Sequence, residues 1–228
     1  MAKFINKLKL LTFICLWIGL PAFGVQSTIN FPNSEILEEN TILLKQVAST
    51  YPNNQNGTLI PSVNYGVGHN TEVSVGVPVG FTYSGVFNQK LALETKSVWT
   101  KHNTRFTVGG GVFPYLNGGT TEGFVYSHVT QVIPKTKTNI SVGGYATGQQ
   151  EFLNDGGIVL ILEQSLTDKI KLLGEYTSGN TTRANFAAGL KYKAKNDLAI
   201  TGAVIIPTDQ GIGFQIIISK FIFPKKKQ

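Results

Sequence analysis

A single cysteine, Cys15, is all the thiol this 228-residue chain possesses. It falls within a leading segment expected to be removed, so the mature chain has neither thiol nor disulfide. That excludes a disulfide scaffold, a cysteine nucleophile and a Cys-based metal site. The sequence also speaks against a lipoprotein signal, because bulky Phe13 and Ile14 precede Cys15 where small residues are needed. Charge is also scarce: only 14% of residues are Asp, Glu, Lys or Arg, against 42% hydrophobic, which rules out a disordered chain. Past residue 24, convincing apolar stripes of period 3.6 with caps are missing. Ile36 to Ala48 is the only rival, since Asn33-Ser34-Glu35 could begin a helix, and its β-branched residues favour a strand.

Acid is absent from the first 24 residues, which carry Lys3, Lys7 and Lys9. The apolar run Leu10 to Leu20 follows, then Ala22-Phe23-Gly24 with small residues at the −3 and −1 positions of a cleavage site. This is the layout of a secretory signal peptide, and the run is too short for an ordinary spanning helix. The formal charge of +7 drops to +4 without those three lysines, and to +1 without the tail Lys225-Lys226-Lys227. A near-neutral body speaks against nucleic acid as a partner. The expected organisation is a signal peptide over 1–24, an N-terminal periplasmic segment over 25–34, one domain over 35–224 and a basic tail over 225–228.

What fills the chain is alternation of period two. In Thr71 to Val79, the residues Val73, Val75, Val77 and Val79 oppose Glu72, Ser74, Gly76 and Pro78. In Thr182 to Ala194, the residues Ala184, Phe186, Ala188, Leu190 and Tyr192 oppose a face that includes Arg183, Lys191 and Lys193. Successive strand side chains point to opposite faces, so each segment has one apolar and one polar face. Twelve such segments occur, near 41–50, 58–67, 71–79, 89–100, 105–114, 122–133, 137–147, 157–165, 169–177, 182–194, 197–206 and 212–223. Most have the 9–11 residues that a tilted strand needs to cross a bilayer. Tight turns at 68–70, 102–104, 134–136, 166–168 and 195–196 alternate with longer connections near 51–57, 80–88, 115–121, 148–156, 178–181 and 207–211. An up-and-down meander places every second connection at the same end. The pattern predicts an all-β fold: a closed antiparallel transmembrane β-barrel of about twelve strands.

Alternation alone does not choose the outer face. The charges do: a base turned to lipid at mid-depth costs about 2–4 kcal/mol. Trp99, Tyr176 and Tyr192 lie on the apolar face near segment ends, where aromatic girdles belong. By parity the lumen receives Glu72, Lys90, Glu94, Lys96, Arg105, Glu163, Lys171, Glu175, Arg183, Lys191 and Lys193. These are the candidate lumen-lining residues. They read either as a polar pore or ligand-binding lumen with slight anion preference, or as a closed interior of mutually satisfied charges.

The last segment ends on Phe221-Ile222-Phe223, which resembles the aromatic final strand by which outer-membrane barrels are recognised for assembly. Pro224 and the basic tail then depart from the usual aromatic terminus, and Ile218 stands where a glycine is common. The layout resembles the bacterial outer-membrane β-barrel superfamily. Within it, Tyr65-Gly66-Val67-Gly68-His69-Asn70-Thr71-Glu72-Val73-Ser74-Val75-Gly76-Val77-Pro78 is similar to the second hairpin of outer-membrane transporters named for the phenol-degradation meta pathway. Leu173-Gly174-Glu175-Tyr176 and Gly189-Leu190-Lys191-Tyr192 are similar to their later strands. The resemblance implies a bacterial outer-membrane location, with outer-membrane lipid and the barrel-assembly machinery as partners.

Little in the sequence points to a reaction. His69 and His102 fall at tight turns and His128 within a strand. A lipid hydrolase would need serine, histidine and an orienting group in hydrogen-bond reach. Ser127 adjoins His128, but neighbours on a strand face opposite sides. Histidine pairs with metal-ligand spacing are absent, so no metal and no cofactor is expected. Gly109-Gly110-Gly111 and Gly143-Gly144 lie in strand patterns with no helix following, unlike phosphate loops. The expected function is a passive channel, or a barrel that transports or binds a small polar or aromatic solute, without enzymatic activity. The alternatives are a structural or adhesive barrel acting through loops 80–88 and 148–156, a membrane lipid hydrolase, and a soluble secreted β-protein with its apolar face buried.

Overall fold

In the computed structural model the described residues are 28–82, 84–148, 155–179, 183–208 and 211–223. The signal segment and the lysine tail lie outside them. Fourteen strand segments form one antiparallel sheet: β1 (Ile42–Tyr51), β2 (Asn56–Gly68), β3 (Thr71–Gly76), β4 (Val79–Thr82), β5 (Gly85–Gln89), β6 (Ala92–Lys101), β7 (Thr104–Phe113), β8 (Glu122–Ile133), β9 (Thr138–Gly148), β10 (Asp155–Ser165), β11 (Ile170–Thr177), β12 (Asn185–Lys195), β13 (Leu198–Pro207) and β14 (Gly213–Ile222). β1 pairs with β2 on one side and with β14 on the other, which closes the sheet. β2 pairs with β3 along its later half and with β4 along its earlier half, so β3 and β4 are one stave interrupted at Val77-Pro78. β5 and β6 form the next stave, interrupted at Lys90-Leu91. The barrel therefore has twelve staves, at the positions that the alternation marks.

The strand favoured over a helix at Ile36 to Ala48 is present, and one expectation about local structure changes. Ile36 to Ala48 makes no helix: β1 starts at Ile42, and its inward residues Leu43, Lys45, Val47 and Ser49 are buried. The stretch 80–88 is not a long loop. β4 and β5 pair with each other and prolong the barrel wall, with a register shift between Gly80 and Phe81. Elsewhere turn chemistry matches the sequence. His69 and Asn70 link β2 to β3 with φ of 51° and 59°, the two positive values that a primed hairpin turn requires.

The apolar face lies outside. Val73, Leu93, Phe106, Val125, Val142, Leu160, Leu172, Leu190, Ile200 and Ile216 are exposed all round the wall, far beyond the patches a soluble monomer shows. This removes the soluble alternative, whose apolar face would be buried. Trp99 stacks on Phe106 at 5.9 Å near the short-turn end, and Tyr192 is exposed close to that end as well. Closure satisfies the backbone within lipid and leaves no free edge. Arginine introduced at Val142, midway along β9, is expected to cost about 2–4 kcal/mol of folding free energy. Urea titration of the barrel in phospholipid vesicles measures that loss.

The chain ahead of β1 is placed differently from expectation. Residues 25–34 read as a periplasmic segment; the part described, Thr28 to Ser34, lies inside the barrel, with Thr28, Ile29, Phe31, Asn33 and Ser34 buried. The physical reason is room. Many inward residues are small, among them Gly109, Gly111, Gly143, Ala187, Gly189 and Ala203, so side chains alone leave the lumen unfilled. Tyr126 claims part of that space: a Cβ on Gly109 would meet its hydroxyl oxygen at 2.4 Å.

Candidate functional site

The candidate site is the lumen together with the segment threaded through it. The segment runs from the long-loop half of the barrel, at Ile29 to Phe31, down to the short-turn mouth. There Asn40 N–H donates to the Gly66 carbonyl and Gly66 N–H donates to that of Thr41. Among the described residues it belongs to no strand of the barrel wall, so many of its backbone groups find partners on side chains. Glu175 supplies most of them near the top. Its Oε2 accepts from the N–H groups of Ile29 (3.2 Å), Asn30 (3.0 Å) and Phe31 (3.0 Å). Lower down, Leu37 N–H donates to Glu72 Oε2 at 3.0 Å. Lys96 Nζ donates to the carbonyls of Asn33 (3.2 Å) and Glu35 (2.5 Å), and Arg105 reaches that of Ser34 at 3.5 Å.

Apolar contacts anchor the segment as well. The Phe31 ring meets Phe124, Tyr126 and Tyr145 edge-on, at centroid distances of 5.7, 5.3 and 5.9 Å. Ile29 packs against Leu173, Ala187 and Ile205. Asn30 and Asn33 add polar contacts: Gln215 Nε2 donates to Asn30 Oδ1 at 3.0 Å, and Asn33 Nδ2 donates to Glu163 at 3.3 Å.

The candidates from parity can now be located. Glu72 and Lys96 form a buried ion pair at 3.2 Å, both side chains 0% exposed. Glu163 accepts from Asn33 and Asn139. Lys171 and Lys191 reach the two carboxylate oxygens of Glu35 at 2.7 and 3.9 Å. Arg183 lies over the Phe124 ring at 4.0 Å and the Phe113 ring at 5.3 Å. Lys90 pairs with Glu122 at 2.6 Å towards the long-loop rim, where Tyr115 also donates to Glu122. Glu94 shares the inward face of β6 with Lys96, and Lys193 is exposed at the short-turn mouth. Burial alone would push the Glu35 carboxyl up; the Lys191 and Lys171 ammoniums outweigh it and hold it down at about 2. Glu35 is thus a carboxylate at any physiological pH.

Sequence reasoning missed Lys45 and the whole segment. Lys45 is buried on the inward face of β1, and both faces of that strand are largely apolar, so parity offered no contrast to expose it. Glu35 was missed because barrel topology puts the terminus at the short-turn end, and nothing in a short Asn- and Ser-rich stretch announces that it folds back inside. Beside Lys45 and Lys191, a water-sized recess at the short-turn mouth is also lined by Thr201 and Ser219.

The catalytic alternative gains no constellation. Ser127 faces outward and His128 inward. His128 Nδ1 instead lies 3.3 Å from Thr130 Oγ1, which contacts Ser141 Oγ at 2.7 Å. Phe31 covers the same wall, 6.4 Å from the imidazole centroid. Among the described residues, no group of three or more His, Cys, Asp and Glu side chains could hold a metal ion.

These faces and this closure define a twelve-stave transmembrane β-barrel of the kind found in bacterial outer membranes. Solved structures agree on the fold. The KdgM porin superposes with a TM-score of 0.61 at 8% identity, covering 80% of this chain and 99% of that one. The COG4313 outer membrane channel of Pseudomonas putida F1 gives 0.57 at 9% identity, over 83% and 98%. Omp33 of Acinetobacter baumannii gives 0.54 at 6% identity, over 81% and 99%. No family model and no curated protein matches the sequence, so the resemblance to phenol-pathway transporters rests on the quoted strand motifs alone.

Proposed function

We propose that the protein is an outer-membrane channel for small polar solutes, with a lumen narrowed by its own N-terminal segment. One observation carries the reading: charged and polar side chains concentrate inside a closed barrel whose outside is apolar, and several of them hold the N-terminal segment, which belongs to no stave. Glu175, Glu72 and Lys96 spend hydrogen bonds on that segment, and a polar solute could take them over if the segment withdrew. The similar KdgM porin has been solved with oligogalacturonate, which supports a polar solute in a barrel of this fold. Lys45, Lys96, Arg105, Lys171 and Lys191 give the lower lumen a basic bias, so anions are the favoured passengers. No reaction is assigned to the barrel.

The second reading is a closed structural barrel, favoured by the depth to which residues 28–37 fill the lumen. Planar bilayers separate the two. The mature chain is expected to show small, discrete conductance steps, with a reversal potential displaced towards anion selectivity in a potassium chloride gradient. Fully inserted protein without steps makes the barrel structural, and displacement of the opposite sign removes the anion preference.

A further inference from the structure

Lys171 and Lys191 are direct cross-strand partners in the β11–β12 pair. Both point into the lumen. Like charges directly opposite on one face repel and destabilise a sheet, so two facing lysines make sense only with an anion between them. That anion is the Glu35 carboxylate, one oxygen towards each ammonium. It comes from no strand. Glu35 sits on the threaded segment, so it can leave without breaking a single ladder hydrogen bond of the barrel.

Accessibility separates this node from its neighbour. The Lys96–Glu72 pair is completely buried, whereas Lys171, Lys191 and Glu35 keep 31%, 22% and 29% of their side-chain surface open. A water-sized recess at the short-turn mouth adjoins Lys191. Glu163, the nearby strand carboxylate, is held by Asn33 and Asn139.

We propose that Lys171 and Lys191 form a carboxylate-binding site in the lumen, that Glu35 occupies it as a tethered ligand, and that a free small carboxylate competes for it. The site deepens the channel reading by naming a solute class, and it depends on that reading only for how the ligand arrives. The two oxygens of one carboxylate match the two lysines, and a neutral amide offers no charge for them. The Glu35 tether weakens outside ligands: a site self-occupied nine-tenths of the time binds a competitor about tenfold more weakly than the vacant site.

Calorimetric titration of the detergent-solubilised mature protein with succinate tests this. Glu35→Gln is expected to bind succinate about tenfold or more tighter than the wild-type chain, and to ignore succinamide. Adding Lys171→Met and Lys191→Met to that variant should abolish binding. Glu35→Asp keeps the charge with a shorter reach and is expected to fall between; it serves if Glu35→Gln fails to fold, judged by heat-modifiable gel migration. A folded variant that binds succinate no better than wild type overturns the site. So does binding that survives loss of both lysines. Phosphate bound as tightly as succinate overturns the carboxylate assignment. Binding in detergent requires no conduction, so a silent barrel in bilayers would defeat the channel and leave this result standing.

Discussion

A chain lacking residues 25–36, joined to its signal directly before Leu37, is expected to conduct several-fold more current per barrel than the full mature chain. Among the described residues, the segment is the stretch of chain in the lumen that belongs to no stave. Its removal takes out Ile29, Phe31 and Glu35 and the contacts they make with Leu173, Tyr126 and Lys171. It leaves the wall intact, because every stave pairs with two others independently of the segment. It also leaves Glu175 and Lys96 facing water, where both are well solvated. Single-channel recording in planar bilayers measures the change. A milder variant works from the wall side: Glu175→Leu removes the acceptor of three consecutive N–H groups and should raise the fraction of time spent in the larger conductance state. Equal currents from the full and shortened chains would show that the conduction path avoids the segment.

The second large effect falls on stability. Lys96→Met is expected to cost about 3–5 kcal/mol, because it takes the paired ammonium from the fully buried Glu72 carboxylate. Two carbonyls of the threaded segment, at Asn33 and Glu35, lose their donor at the same time. The double variant Glu72→Leu with Lys96→Met should recover a large part of that loss, since replacing a buried ion pair by apolar residues of similar volume is often neutral. Recovery stays incomplete because Leu37 N–H loses its acceptor on Glu72. Urea midpoints of the barrel in vesicles give both numbers. A Lys96→Met barrel as stable as wild type would mean that water reaches the pair.

The two effects share a cause. The inner wall does not merely balance its charges across strands; it divides them between strand partners and a guest segment. Glu72 serves Lys96 and Leu37, Glu163 serves Asn139 and Asn33, and Lys171 serves Glu35. Contacts to the guest are individually replaceable by water or solute, whereas those between staves are locked by the ladder. In a channel, that division would let a lumen be full at rest and yet conduct.

Strand identity, strand number and the choice of outer face were all readable in the chain. They depend on local alternation, and parity acts over nearest neighbours: Val73 and Glu72 cannot face the same way whatever the rest of the protein does. Glu72, Glu94, Lys96, Arg105, Glu163, Lys171, Glu175, Lys191 and Lys193 occupy alternate strand positions for the same reason, with Lys193 exposed at the short-turn mouth, whereas Lys90 and Arg183 lie just outside the strands. The stretch 80–88 was misread because Gly80, Ser84 and Gly85 carry turn chemistry, and a hairpin of short strands looks the same as a loop when only composition is visible. Lys45 and Glu35 stayed hidden for a different reason. Whether a lysine on a mixed strand points inward, and whether residues 28–37 lie in the periplasm or inside the barrel, depends on how much space twelve staves enclose and how little of it small residues such as Gly109, Gly143 and Ala187 take up. That volume is a property of the closed barrel and of no window of sequence. The pairing of Lys171 with Lys191 is likewise set by register across β11 and β12, and the carboxylate between them comes from 136 residues away along the chain. The single cysteine and sparse charge thus bounded the chemistry from the start, while the occupant of the lumen emerged only from closure, because closure creates the space that has to be filled.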